Sequence, residues 1–262
     1  MEAQIKKAIK AGNSSAVILP KSWLNQEVRI ELLKKTPEII LSDIIRIVRN
    51  YINFKDITGI YLTGSYARNE EDKNSDIDIL IITKNIDKEM ISEGIYNILI
   101  ISSELITQKL KTDLFPIGQM IREAKPLLNA NYLSQIKVEI TKRNVEWYIK
   151  TTKDKLRIIR QVLDWAKQKN KKYAEDIVSY TLVLRIRTIH IISKIIKNEE
   201  YSKEDFIRII KNVSKGPNAY ERYLAIKKNS EEKKGISVIE AERLYEYLKN
   251  ELANIKIILK KL

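Results

Sequence analysis

The residues best suited to chemistry lie between Gly64 and Leu80. Gly64 and Ser65 follow an apolar run, and ten residues separate them from Asp76, with Asp78 two positions further on. A glycine permits a tight turn with positive φ, and the exposed backbone N–H groups of such a turn can bind phosphate oxygens together with the serine. On a strand, residues i and i+2 point to the same face, so the two carboxylates converge. The pattern therefore predicts a site for a triphosphate and a divalent metal.

The two aspartates need a counter-charge. Like charges close together beside an apolar strand are unfavourable unless a cation or hydrogen-bond donors neutralise them. Mg²⁺ suits this position, because it takes oxygen ligands and binds through one or two carboxylates together with the phosphate oxygens of a substrate. We therefore expect Asp76 and Asp78 to ligate Mg²⁺, with Mn²⁺ as the alternative ion.

Apolar periodicity predicts the elements that position these residues. A helix is predicted from Pro37 to residue 54, and helical spacing returns after residue 103 in a region that Pro116 and Pro126 break up. Continuous apolar runs predict three strands, at 57–63, 77–83 and 95–102. A helix followed by a strand, a turn and a second strand indicates a small mixed α/β domain over residues 34–140.

The chain after residue 141 shows only helical patterns. Five helices are predicted, at 145–169, 174–197, 203–212, 219–228 and 237–262. We therefore predict a multidomain α+β protein in three parts: a short N-terminal β-hairpin segment over 1–33, the mixed α/β domain, and an all-α C-terminal helical bundle over 141–262.

The Gly64-Ser65 pair, the ten-residue spacer and the Asp76-Ile77-Asp78 strand resemble the motif of the polymerase-beta-type nucleotidyltransferase superfamily in its minimal form. The resemblance covers residues 37–130. It implies transfer of a nucleoside monophosphate from an NTP, with ATP favoured, to an acceptor hydroxyl, with pyrophosphate leaving. It also implies that Gly64 and Ser65 hold the β- and γ-phosphates while Asp76 and Asp78 bind metal.

Arg68 follows Ser65 by one helical turn. It is a candidate for neutralising the charge that develops on the phosphate. The alternative is a surface arginine that only caps the loop.

The sequence departs from the superfamily pattern in two places. Asn69 stands where many members have a second glycine, and the carboxylate usual on the third strand is replaced by Asn97, a neutral candidate ligand. Glu93 and Glu104 flank that strand, but neither is central. Loss of one carboxylate weakens metal binding and removes a base, so a domain that binds NTP with slow or no turnover is the alternative.

The first 33 residues predict short strands at 5–11, 16–20 and 28–32, a turn at 12–15 and one helical turn at 21–24. Two or three strands cannot bury a stable core alone, so the segment must pair with another copy or dock elsewhere. The stretch from Lys10 to Trp23, with its Gly-Asn-Ser turn and Pro-Lys-Ser-Trp corner, resembles the AbrB-like swapped-hairpin family. That resemblance implies a homodimer that binds DNA, and the candidate phosphate contacts are Lys6, Lys7, Lys10 and Lys21. The alternative is an arm used only for dimerisation or docking.

The net charge of +14 is uneven. Residues 1–140 hold 19 lysines and arginines against 18 acids, whereas residues 141–262 hold 29 against 16. A basic back half indicates an anionic partner such as RNA, DNA or polyphosphate. Arg157 and Arg160, near Trp165, are the candidate contacts, and a solvated helix face is the alternative.

Arg185 and His190 match the Arg-x(4–6)-His spacing of HEPN-type helical ribonucleases. Five helical positions place the two side chains about 140° apart, which argues against a shared site. A lone histidine among isoleucines more often lies at the edge of a core, and this is the alternative interpretation.

Composition excludes several classes of protein. There is no cysteine, so disulfides, thiolate metal sites and cysteine nucleophiles are absent. No apolar run approaches the ~20 residues of a membrane span, and the N-terminus lacks a secretory pattern, so we expect a cytoplasmic protein. The favoured function is Mg²⁺-dependent nucleotidyl transfer to a nucleic-acid or protein acceptor. The alternative is a DNA-binding regulator or antitoxin whose domain only binds nucleotide.

Overall fold

The computed structural model describes residues 4–30, 35–72, 75–216, 218–227 and 235–261. The chain divides into two compact units, Met1–Thr36 and Pro37–Leu262. The boundary predicted near residue 140 lies inside the second unit and stays a prediction. No helix of the described ranges is both long and apolar enough to span a membrane.

The N-terminal unit contains one small hairpin. Strands β1 (Ile9–Ala11) and β2 (Ser14–Ala16) pair antiparallel, and Gly12 takes a positive φ of 61° between them. The predicted four-residue turn at 12–15 is wrong, because Ser14 and Ser15 belong to β2 and only two residues turn the chain. The positive φ of Gly12 permits so tight a connection.

The rest of this unit has little regular structure. A 3₁₀ helix at Lys21–Trp23 confirms the predicted helical turn. The strand predicted over 28–32 is wrong at 28–30, which carry no strand, and positions 31 and 32 lie outside the described residues. No residue of the range 4–30 is buried, so there is no second layer on which longer strands can pack.

The second unit contains a five-stranded mixed sheet in the order β5-β6-β4-β3-β7. Its strands are β3 (Ile57–Thr63), β4 (Ile77–Thr83), β5 (Ile91–Glu93), β6 (Tyr96–Ser102) and β7 (Lys125–Leu128). Strands β4 and β6 are parallel, and the other pairs are antiparallel. The predicted bounds of β3 and β4 are confirmed. Strands β5 and β7 were not predicted. Pro126 was expected to be a break, but proline is tolerated in an edge strand such as β7.

Helices cover both faces of this sheet. Helix α1 (Pro37–Val48) is shorter than predicted and packs on the face that carries Ile77, Ile79 and Ile81. Short helices follow the strands: α2 (Gly64–Ala67), α3 (Ser103–Thr112), α4 (Ile117–Glu123) and α5 (Ala130–Gln135). Side chains of α3 and α4 pack on the opposite face against Leu80 and Ile82. Because β4 alternates, Asp78 shares this second face with Leu80.

Five long helices complete the unit. They are α6 (Lys142–Gln168), α7 (Asp176–Ile196), α8 (Lys203–Ser214), α9 (Asn218–Lys227) and α10 (Val238–Leu259). The predicted helices are confirmed to within a few residues at each end. Leu114 and Ile140 belong to the same buried core as these helices, so the sheet region and the helical region are packed together. This packing brings α7, α8 and α9 to the turn after β3.

Candidate active site

Three polar side chains lie side by side across the centre of the sheet. Asp78 on β4 is opposite Thr63 on β3 and opposite Asn97 on β6. The hydroxyl of Thr63, which is fully buried, donates to the backbone oxygen of Asp78 at 3.2 Å. Strand alternation places all three side chains on the face that α4 covers. The register thus fixes a polar row at one end of an otherwise apolar surface.

Gly64 connects this row to the turn after β3. Its φ is +68°, and a Cβ built on it would lie 2.2 Å from Oδ2 of Asp78. Any other residue here would meet both the strain of a left-handed backbone and a collision with the carboxylate. The tight turn predicted at Gly64 is confirmed, and it brings backbone and carboxylate into direct contact. Ser65 follows and is half-buried.

The surroundings of Asp78 disfavour its charged form. Burial raises the pKa of Asp78, and the nearby charges of Asp76 and Glu123 raise it further. A hydrogen bond from Asn97 and the charge of Lys227 act in the opposite direction on this pKa. Asp76 itself is exposed, just before β4 begins. A bound cation would relieve the repulsion among these carboxylates.

The donor set fits Mg²⁺. Asp76 and Asp78 supply hard oxygen ligands at alternate positions of one chain segment, and this ion binds through one or two carboxylates plus substrate phosphates. Among the described residues, no cluster of three or more acidic or histidine side chains is arranged to hold a metal. Asp76 and Asp78 are thus the residues that would hold such an ion, together with ligands that the chain itself does not supply.

Asn97 is hydrogen-bonded on both sides. It makes a side-chain hydrogen bond to Asp78, which requires its amide nitrogen to face the carboxylate, and its Oδ1 accepts from the hydroxyl of Ser92 at 2.9 Å. Its predicted role as an oxygen ligand requires rotation of the amide and stays a prediction. Glu93 lies on β5 opposite Tyr96, and Glu104 lies in the first turn of α3; neither is among the groups that act on Asp78.

Glu123 is the site residue that sequence reasoning missed. It ends α4, and its side chain is only 9% exposed. Its Oε1 accepts a hydrogen bond from the backbone N–H of Gly64 at 2.8 Å, and its Oε2 accepts from Arg68 and from Gln119. Nothing local in the sequence marks this glutamate, because its contacts with the Gly64 turn bridge more than fifty positions of the chain.

Arg68 is held between two carboxylates rather than lying free on the surface. Its Nε donates to Glu70 at 2.7 Å, its Nη1 donates to Glu123, and its side chain is 14% exposed. The next residue, Asn69, has a φ of +56°. Asparagine tolerates this left-handed conformation better than most residues, which explains how it replaces a glycine.

The helical region contributes positively charged side chains close to Arg68 and Asp78. The guanidinium groups of Arg68 and Arg187 both lie over the ring of Tyr201, at 5.3 and 5.6 Å from its centroid. Arg187 hydrogen-bonds the side chains of Tyr201 and Tyr223. In the part of the chain that the structure describes, no carboxylate forms an ion pair with Arg187, and its Nε is buried without an acceptor. Lys227 at the end of α9 acts on Asp78.

A cavity of about 380 Å³ lies next to this cluster. Its walls come from the α2 loop, from α4 and from the segment between α7 and α8. The charged residues that line it are Arg68, Glu70, Arg122, Glu123, Lys125, Lys194, Glu199 and Glu200. It is therefore a polar space that adjoins the Gly64 turn through Glu123.

The other predicted contact residues lie elsewhere. Arg157 is exposed on α6, and Arg160 pairs with Asp164; this helix packs on α3, α7 and α10. Lys6, Lys7, Lys10 and Lys21 are exposed in the N-terminal unit. Their proposed contacts with nucleic acid stay predictions.

Arg185 and His190 face different neighbours on α7. Arg185 donates to the hydroxyl of Thr151 on α6 at 3.0 Å, whereas the His190 ring lies about 6 Å from the rings of Tyr201 and Phe206. Burial lowers the pKa of His190, and Lys194 lowers it further. These surroundings favour the interpretation of His190 as a residue at the edge of the core.

Comparison with known proteins was informative at the level of the family. The model of the nucleotidyltransferase domain family matches residues 45–212, from within α1 into α8. The match thus includes the sheet, the Gly64 turn and much of the helical region. No curated protein matches the chain significantly.

Two solved structures are similar at low identity. One is described as a nucleotidyltransferase from Sulfolobus solfataricus: it is 23% identical, the match covers 29% of this chain and 82% of that chain, and the TM-score is 0.21. The other is the spectinomycin adenyltransferase AAD(9) from Enterococcus faecialis, solved with ATP and spectinomycin: it is 13% identical, with coverage of 81% and 98% and a TM-score of 0.42. With TM-scores this low, the family match is the informative comparison.

Proposed function

The chain belongs to the nucleotidyltransferase domain family. On this premise we propose that it transfers a nucleoside monophosphate to a hydroxyl group of a nucleic-acid or protein acceptor. The favoured reaction is transfer of AMP from ATP. In this reaction the acceptor oxygen bonds to the α-phosphorus. The bond from that phosphorus to the β-phosphate oxygen breaks, pyrophosphate leaves with the electron pair, and the hydroxyl proton passes to water.

One observation carries the proposal: the close approach of the Gly64 backbone to the Asp78 carboxylate, which a Cβ at position 64 would meet at 2.2 Å. This proximity supports a site in which phosphate donors of the turn lie beside carboxylates that bind a cation. Asp76 and Asp78 would hold Mg²⁺, or Mn²⁺ in its place. Such an ion, when bound, supplies charge neutralisation to the phosphates and polarises the reacting oxygens.

The residues of the chain would bind and orient the nucleotide. In this proposal the hydroxyl of Ser65 donates to a phosphate oxygen, and so does the N–H of Gly64 once it is released from Glu123. Arg68 and Arg187 both lie over the Tyr201 ring, and the charge of Lys227 acts on Asp78, so these cations are the candidates for balancing the charge of a triphosphate. Arg187 is partly buried and its Nε is without an acceptor, which is unfavourable by itself, and an anionic ligand would compensate for this.

The experiment that tests the function is a transfer assay. The purified chain is incubated with Mg²⁺ and each of the four labelled NTPs, and product is sought on the protein itself, on RNA and on added protein. We expect labelled product from the wild type and none from Asp78→Asn. The control is Asp154→Asn, which removes an exposed carboxylate of α6 far from the turn in sequence. Absence of product with every NTP and every acceptor contradicts the proposal.

A second candidate is supported by Asn97 and by the N-terminal unit. In place of a third acid, Asn97 gives Asp78 a hydrogen bond, an arrangement compatible with nucleotide binding alone. Ile5, Ile18 and Leu24 are each more than two-thirds exposed, which favours pairing of this unit with a second copy. The candidate is a homodimeric DNA-binding regulator that senses nucleotide. Light scattering of the full chain, which must give twice the mass of one protomer, tests the dimer.

A further inference from the structure

We propose that Glu123 is an internal anion that occupies the phosphate-binding donors until a nucleotide displaces it. The inference rests on the proposed function, because it takes the Gly64 N–H and Arg68 as groups that bind the triphosphate. It adds a competitor that the chain carries within its own fold.

First, Glu123 already occupies two of the donors that the proposed function assigns to the triphosphate. Glu123 accepts from the backbone N–H of Gly64 at 2.8 Å and from Arg68, so one carboxylate spans both donors. Gln119, one turn earlier on α4, holds the same carboxylate at 2.8 Å. A backbone N–H has one hydrogen to donate, so a phosphate oxygen can use the Gly64 donor only after Glu123 has left it.

The second step concerns charge. Glu123 is one of the negative groups that act on Asp78, and Asp76 is another. A triphosphate that entered with Glu123 in place would meet three carboxylates together. Movement of Glu123 removes one of these charges and frees Arg68 to pair with the ligand.

The third step is that the displaced side chain has room and counter-charges. Glu123 lines the cavity of about 380 Å³, and Arg122, Lys125 and Lys194 line it too. Glu123 is the last residue of α4 and Ala124 already has extended backbone angles, so the carboxylate can turn towards these cations with little disturbance of the helix. The cavity therefore provides a second position for the same carboxylate.

The test uses the full chain and inorganic tripolyphosphate without metal, so that it probes the anion donors alone. Calorimetry compares the wild type with Glu123→Gln and with Glu200→Gln, the matched control. Glu200 lines the same cavity, is exposed and makes no hydrogen bond to Gly64 or Arg68 among the described contacts. We expect Glu123→Gln to bind tripolyphosphate about tenfold more tightly, within the usual range of coupling between sites, and Glu200→Gln to match the wild type within about twofold.

Equal or weaker binding by Glu123→Gln overturns the proposal, because Glu123 would then support the donors rather than block them. If that variant does not fold, Gln119→Met decides, since it loosens the carboxylate without removing it. Tighter tripolyphosphate binding by Gln119→Met supports the proposal that Glu123 blocks the donors, and unchanged binding overturns it. The transfer assay separates this proposal from the proposed function. Tighter tripolyphosphate binding without any nucleotidyl product refutes the proposed function alone. Nucleotidyl product without tighter tripolyphosphate binding refutes only the role proposed for Glu123.

Discussion

Asp78 and Asn97 lie directly opposite each other on the parallel strands β4 and β6, and they share a side-chain hydrogen bond. This pair stands where the superfamily pattern leads one to expect two carboxylates. The amide lowers the pKa of Asp78, while burial and the neighbouring acids raise it. The charge of Asp78 is therefore only partly compensated by its neighbour on β6.

Replacing Asn97 by aspartate adds the missing carboxylate. We expect Asn97→Asp to melt at a lower temperature than the wild type in EDTA, because the hydrogen bond becomes a repulsion. We also expect a larger rise in melting temperature on addition of Mg²⁺, and nucleotidyl transfer faster by roughly 100-fold if a base is what the site lacks. The control is Asn97→Ala, which loses the hydrogen bond without adding charge. The same Mg²⁺ response in both variants refutes the prediction.

Gly64 has a left-handed backbone and also lies close to the Asp78 carboxylate. Gly94 has only the left-handed backbone, so a comparison of the two glycines separates the two effects. Gly94 has a φ of +61° and open space around its Cβ position, whereas a Cβ on Gly64 meets Asp78. We expect Gly94→Ala to lower the free energy of unfolding by about 1–2 kcal/mol and Gly64→Ala to lower it by more. Urea denaturation measures both. Equal costs would show that the contact with Asp78 imposes no extra strain.

The raised pKa of Asp78 makes a pH-dependent contribution to stability. The folded state holds this proton more tightly than the unfolded state, so the contribution of Asp78 is favourable at low pH and is lost as pH rises through the folded-state pKa. In EDTA near pH 7 we therefore expect Asp78→Asn to melt a few degrees above the wild type. The difference should shrink towards pH 4. Melts by circular dichroism test this, and a gap that widens on acidification contradicts the assigned sign.

Replacing Arg187 tests whether the helical region contacts the nucleotide. Since no described carboxylate pairs with it, we expect Arg187→Met to keep or raise the melting temperature while weakening Mg²⁺–ATP binding at least about tenfold. Arg157→Met, an exposed change on α6, is the matched control. ATP affinity that survives in Arg187→Met, measured by calorimetry, rules out the contact.

The N-terminal lysines test the nucleic-acid proposal. We expect combined replacement of Lys6, Lys7, Lys10 and Lys21 by alanine to weaken binding of labelled duplex DNA and to reduce its salt dependence, because fewer counterions are released. The comparison variant carries Arg157→Ala with Arg160→Ala, which tests α6 as the alternative surface. DNA binding that keeps the wild-type salt slope in the lysine variant removes the role proposed for this unit.

Local patterns predicted much of the fold. Strands β3 and β4 were predicted to the residue because each is a mostly apolar run of isoleucine, leucine and tyrosine that ends at a threonine. Strands β5 and β7 were missed, since β5 has three residues with a largely exposed surface and β7 contains Pro126. Short edge strands form because a neighbouring strand offers hydrogen bonds, and that neighbour is not visible in the local sequence.

The sequence by itself determined that Asp78 lies on β4, with Asp76 just before that strand begins, and that position 64 needs glycine, because strand patterning and backbone sterics are local properties. Only the tertiary structure decided that Glu123 accepts a hydrogen bond from the Gly64 N–H and that Arg187 lies over the ring of Tyr201, as Arg68 does. These contacts join distant segments through packing of α4 and α7, and no local spacing encodes which distant side chains such packing brings together.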